Sequence, residues 1–171
     1  MQTQKALLTS ESSPVFVEAE KLIEGAQQLT QEIARRAYGF FERRDRMPGY
    51  EAEDWLQAEA EVLRPIPVEL KDAGEQLIVN AEVPGFKGDE IRISTEPRLV
   101  VIEGNNETSN EEKSTEVVFS ERRSNQFFRT LALPVDVDPA KATASLKNGM
   151  LEVTLPKSQP SRAATIDVKS N

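Results

Sequence analysis

The stretch ASLKNGMLEVTLPK, Ala144 to Lys157, places two short alternating runs on either side of Asn148-Gly149. Both positions of an Asn-Gly pair take positive φ readily, which favours a tight type I′ turn. The stretch therefore predicts a β-hairpin, with Ala144 and Leu146 on one strand and Leu151, Val153 and Leu155 on the other. Upstream, other segments share this period of two. VELKDAGEQLIVNAEVPG carries turn residues at Asp72–Gly74 and again at Pro84-Gly85, with Leu77, Val79 and Ala81 alternating between them. DEIRIST puts Ile91 and Ile93 on one face, RLVVIEGN reads as a compact apolar strand stopping at Gly104, and QFFRTLALP follows. Seven or eight short strands with regularly spaced turn signals predict an antiparallel β-sandwich whose inward residues form the core.

N-terminal to Pro67 the period changes. Leu22, Ala26, Leu29, Ile33, Ala37 and Phe40 or Phe41 recur every three to four residues, the spacing of an amphipathic helix. DRMPGY interrupts it at Pro48 and Gly49. EAEDWLQAEAEVL resumes through Trp55, Leu56, Ala60 and Leu63, and RPIP stops it. The organisation expected is a flexible arm at 1–17, a helical hairpin at 18–64, a β-sandwich at 65–157 and a polar extension at 158–171. That extension has one apolar alternation, Ile166 and Val168 around Asp167.

Composition narrows the function. The 171 residues include no histidine and no cysteine, which removes thiolate chemistry, disulfides and every Ser-His or Cys-His mechanism. No phosphate-binding glycine loop is present. Asp136 and Asp138 in PVDVDP read as solvated carboxylates on a turn, so no metal site is expected. A net charge of -8 repels a polyanion, so nucleic acid is not the expected partner. The N-terminus lacks a basic start followed by an apolar run, and no stretch is long enough for a membrane span. A cytoplasmic protein without enzymatic activity or cofactor is expected.

ASLKNGMLEVTLP resembles the A-x-x-x-n-G-v-L signature of the α-crystallin domain of small heat-shock proteins, through Ala144, Asn148, Gly149 and Leu151. VELKDAGEQLIVNAEVPGFKGDEIRI is similar to that family's opening strands. SERRSNQFFRTLALP resembles its E-R-x-x-x-x-F-x-R-x-x-x-L-P stretch, with Asn125 where glycine is frequent, and TIDV resembles its I-x-I/V tail motif. A weaker resemblance links IARRAYGFFERRDRMPGYEAEDWLQAEAE to a short bacterial helical module of unknown function.

The resemblance implies a mainly β, immunoglobulin-like sandwich and an ATP-independent chaperone that binds unfolding client proteins and assembles with itself. Ile166 and Val168 would plug an apolar groove on a neighbouring subunit, formed by Ile91 and Ile93 on one strand and Ala144 and Leu146 on another. Val117, Val118 and Phe119, beyond the polar loop from Asn105, would lie on a partner's edge or close a local hairpin. Arg129 would pair charge at a dimer interface or stand as an ordinary strand arginine. Asn148 and Gly149 make the turn. Leu29, Ile33, Tyr38, Phe40, Phe41 and Trp55 would form a client-binding face or the internal packing of the helical hairpin. A rival reading is an adaptor of larger chaperones, whose related sandwiches usually lack both the long loop and the tail motif.

Overall fold

The computed structural model describes residues 12–106 and 125–158. A two-residue strand, β1 (Val15–Phe16), leads into α1 (Ala19–Arg43) and α2 (Glu51–Val62). Seven strands follow: β2 (Val68–Asp72), β3 (Gln76–Glu82), β4 (Ile91–Glu96), β5 (Leu99–Asn105), β6 (Gln126–Ala132), β7 (Thr143–Lys147) and β8 (Met150–Pro156).

The helical hairpin buries its expected stripe. Ile33 and Phe40 of α1 meet Ala58 and Val62 of α2, with Leu29, Ala37 and Leu63 packed around them. Ala58 is fully buried within this cluster. Asp45 and Arg46 take positive φ of 56° and 59° in the loop, and Gly49 reaches 103°. Glu51, Glu53 and Asp54 fill the first turn of α2, where negative charge complements the helix dipole. Pro65 lies just beyond Leu63, and the chain there turns to extended backbone.

The strands form two four-stranded sheets, ordered β1-β4-β5-β6 and β2-β3-β8-β7. Every pairing is antiparallel except that of β1 with β4, which is parallel. Leu77, Val79, Ala81, Leu151, Val153 and Leu155 from one sheet face Ile91, Ile93, Val100, Ile102 and Phe127 from the other, in one continuous core. Alternate residues along each strand therefore carry the burial, as the period of two requires. Asn148 and Gly149 adopt φ of 50° and 75° between β7 and β8, the values of the expected turn.

Two expectations change. Gly104 does not stop its strand; β5 runs on through Asn105 and pairs Gly104 with Phe127. Of the segment expected to be a flexible arm, Ser12–Val17 is seated along β4, where Val15 pairs with Arg92 and Phe16 with Ile93. The pairing is possible because β4 would otherwise be an open sheet edge, with unpaired backbone groups that attract any extended segment.

Helix α1 also packs on the outer face of the first sheet. Its Gly25 sits directly over Glu103, so that a Cβ there would stand 3.0 Å from the carboxylate oxygen. A helix glycine costs stability in isolation, and here it permits this close approach. Beside it, Leu22 is buried, and Ala19, Leu22, Ile23 and Ala26 line an apolar cavity of about 120 Å³ with Leu99, Val101 and Phe128.

Candidate functional site

The four sequence-predicted groove residues all contribute to the core between the sheets. Ile91 and Ile93 project inward from β4 and are fully buried. Ala144 and Leu146, on β7 at the edge of the second sheet, are half-buried and packed against the same core. The two strands belong to different sheets, so the four side chains reach the seam between the layers from opposite sides.

The edge of β4 is already paired. Val17 donates its backbone N–H to the carbonyl of Ile93 at 2.9 Å, extending the β1–β4 pairing by one bond. Paired residues share a side of the sheet, so Phe16 lies on the side of Ile93. Pro14 is buried, whereas Phe16 is 41% and Val15 42% exposed. The run Val15-Phe16-Val17 is rich in strand-forming residues and follows a proline, which is the one signal that would have found it. Its brevity hid it.

The remaining predicted residues fall in several places. Arg129 stands on β6 opposite Ile102, exposed, with no ion pair among the described residues. In the hairpin, Ile33 and Phe40 are core, Leu29 and Phe41 are half-buried, and Tyr38 and Trp55 are exposed. The Tyr38 ring stacks tilted at 5.9 Å from Phe41. Ile166, Val168, Val117, Val118 and Phe119 lie outside the described residues.

The perturbed ionisable groups sit away from this seam. Arg44 forks onto both carboxylate oxygens of Asp54 beneath the Tyr50 ring. Those hydrogen bonds hold Asp54 below the usual carboxylate range, against the opposing effect of burial, and raise Arg44. Glu51 is lowered first by the backbone N–H of Gly49. Lys157, at 2.7 Å, and then the N–H of Gly74 lower Asp72. These are pins of loops and strand ends. Asp136 pairs with Arg98 at 3.4 Å, and Asp138 accepts from the N–H of Ala140, so each carboxylate of PVDVDP has a structural partner. Among the described residues no three carboxylates gather as metal ligands, and no helix is long and apolar enough to cross a membrane. The seam itself has apolar walls and a strand edge, which equips it for holding an extended segment rather than for bond-breaking.

Comparison with known proteins agrees with this architecture. Residues 28–64, the hairpin, match a family described only as a protein of unknown function (DUF2934). The 17.7 kDa class I heat shock protein of Oryza sativa subsp. japonica is 35% identical over 104 residues, covering 60% of this chain and 64% of that protein. Small heat shock protein C4 of Rickettsia felis is 32% identical over 90 residues, covering 53% of this chain and 55% of that protein. The chain spans 64%, 63% and 66% of the lengths of the first three rice relatives. Among solved structures, heat shock protein 16.0 from Schizosaccharomyces pombe is 30% identical, with a TM-score of 0.47, covering 60% of this chain and 98% of that one. The profile of the Hsp20/alpha crystallin family matches residues 69–169. That match runs from β2 through β8 and takes in the hairpin turn at Asn148-Gly149, and the chain belongs to the Hsp20/alpha crystallin family.

Proposed function

We propose that the protein is an ATP-independent holdase, which binds unfolding proteins and prevents their aggregation without turning over a substrate. The reading is supported by the β4 edge, which already accepts an extended segment, and the groove would be formed there by Ile91 and Ile93 with Ala144 and Leu146. The same edge would serve assembly, with Ile166 and Val168 of one copy inserted at the seam of another. Burying one such side chain fully is worth about 1.5–3 kcal/mol before the cost of ordering the tail. A single contact of that size is reversible, and several per assembly give avidity. Val117, Val118 and Phe119 would lie on a partner's sheet edge, with Arg129 pairing charge at that dimer interface.

Client proteins would meet apolar surface that is hidden at rest. Tyr38 and Trp55 are accessible in the closed hairpin, whereas Ile33 and Phe40 become available only when α1 and α2 part. No cofactor is required, and the cytoplasm is the compartment that suits a cysteine-free chain of this kind.

The test is light scattering from a heat-labile enzyme warmed with and without the protein, in the absence of nucleotide. Suppression at near-stoichiometric ratios is the expected result. Scattering unchanged across the temperature range would overturn the holdase reading.

A further inference from the structure

Helix α1 crosses the outer face of the first sheet, and the cavity of about 120 Å³ lies between them. Its walls come from distant parts of the chain: Leu22 and Ala26 from α1, Leu99 and Val101 from β5, and Phe128 from β6. Ile23, 55% exposed, lines it as well, so the cavity reaches solvent on that side.

One polar side chain is buried in this apolar lining. Ser94 stands on β4 directly opposite Val101, on the outer face of the sheet, and lines the cavity while only 5% exposed. Its hydroxyl has no hydrogen-bond partner among the described residues. The charged pair beside it on the same face needs nothing from it, because Arg92 and Glu103 answer each other at 3.0 Å. Glu96, two residues further along β4, carries its carboxylate out to the exposed rim. A buried hydroxyl without a partner costs free energy, so a ligand atom that bonds it recovers that cost.

Size and polarity together define what fits. An apolar cavity of roughly 150 Å³ takes benzene. Water needs two to four polar partners, and the buried side chains of these walls supply one. Ligand sites in general combine apolar walls with a few polar groups that fix orientation.

We propose that this cavity is a binding site for a small, mostly apolar molecule about the size of one ring, carrying one hydroxyl that hydrogen-bonds Ser94. Phenols and short aromatic alcohols have this form. The site exists only while α1 lies on the sheet, so an occupant stabilises that arrangement by mass action. Binding therefore opposes any loosening of the helical module from the sandwich, and it acts as a brake on whatever apolar surface the module exposes when it loosens. The site stands or falls independently of the holdase reading.

The experiment follows the fluorine NMR signals of para-fluorophenol and of fluorobenzene, which lacks the hydroxyl, on titration with the full-length protein. Wild type is compared with Ala26→Leu, which puts a larger side chain into the cavity, and with Ser94→Ala, which removes only the hydroxyl. Both compounds are expected to bind wild type saturably, para-fluorophenol the more tightly. Ala26→Leu should weaken both at least tenfold, with a urea midpoint at or above the wild-type value because a filled cavity stabilises. Ser94→Ala should weaken para-fluorophenol about fivefold, the worth of one net hydrogen bond, and leave fluorobenzene unchanged. No saturable binding to wild type, or equal affinity for wild type and Ala26→Leu, overturns the site. Should the midpoint of Ala26→Leu fall, Ser94→Ala decides: a loss confined to para-fluorophenol supports the site, and unchanged affinity for both compounds overturns it.

Discussion

At the scale of single residues, the sandwich depends on where side chains are missing. Gly104 lies inside β5, where glycine weakens a strand through lost packing and added chain entropy. Here the space is used: a Cβ would stand 2.1 Å from Cε1 of the Phe127 ring, which covers the glycine from the neighbouring strand. Phe127 is fully buried and meets Phe86 edge-on at 5.0 Å. Gly104→Ala therefore forces that aromatic pair to move, and it should lower stability by about 1–3 kcal/mol, read from the urea midpoint. An unchanged or higher midpoint would show that the ring yields freely. Asn148-Gly149 was legible in the sequence because its chemistry is local, two positive-φ positions between alternating runs. The purpose of Gly104 and Gly88 was not legible. What excludes their side chains, Phe127 in one case and Ser12 in the other, lies far along the chain, and only the fold brings it near.

At the scale of elements, the two helices and the seven main strands follow from periodicity, and the small errors have causes. Helix α1 begins at Ala19, before the apolar spacing becomes regular, because its first turns pack on the sheet while its later turns pack on α2. Strand β1 has no period to detect in two residues, and its partner is more than seventy residues away. The helical hairpin is closed at its loop by Arg44 and Asp54. Since Asp54 titrates below its ordinary value of about 3.9 in the folded protein, the pair's contribution to stability is complete above that value. It is lost as the pH falls toward and through the lowered folded value. Asp54→Asn removes the charge at every pH. The variant should therefore melt below the wild type at pH 7, with the gap between the two narrowing at pH 3. Thermal melts followed by circular dichroism check this, and an equal gap at both pH values would mean that the ion pair contributes nothing specific.

At the scale of the molecule, the described residues form two separate cores. Ile33, Phe40, Ala58 and Val62 form one, and the larger cluster between the sheets forms the other. They are joined by Leu22 and Gly25 on the outer sheet face and by Arg64, whose N–H bonds the Gln126 carbonyl at 2.8 Å and whose guanidinium bonds the Pro84 carbonyl at 3.1 Å. A hairpin of this size buries too little apolar surface to be firmly stable alone. The sandwich has many more long-range pairings. On heating, the hairpin should open first, exposing Ile33 and Phe40 while the sheets and their seam persist. The single tryptophan makes this directly observable, because Trp55 lies on α2 and the sandwich has none. Trp55 emission should shift at a lower temperature than the β-sheet band of the circular dichroism spectrum. If scattering suppression in the heat-labile enzyme assay begins with the first transition, hairpin opening is the step that makes the protein competent for clients. Coincident transitions would instead make the two cores one cooperative unit, and client binding would then fall to surfaces that are open in the folded protein, Tyr38 and Trp55 among them.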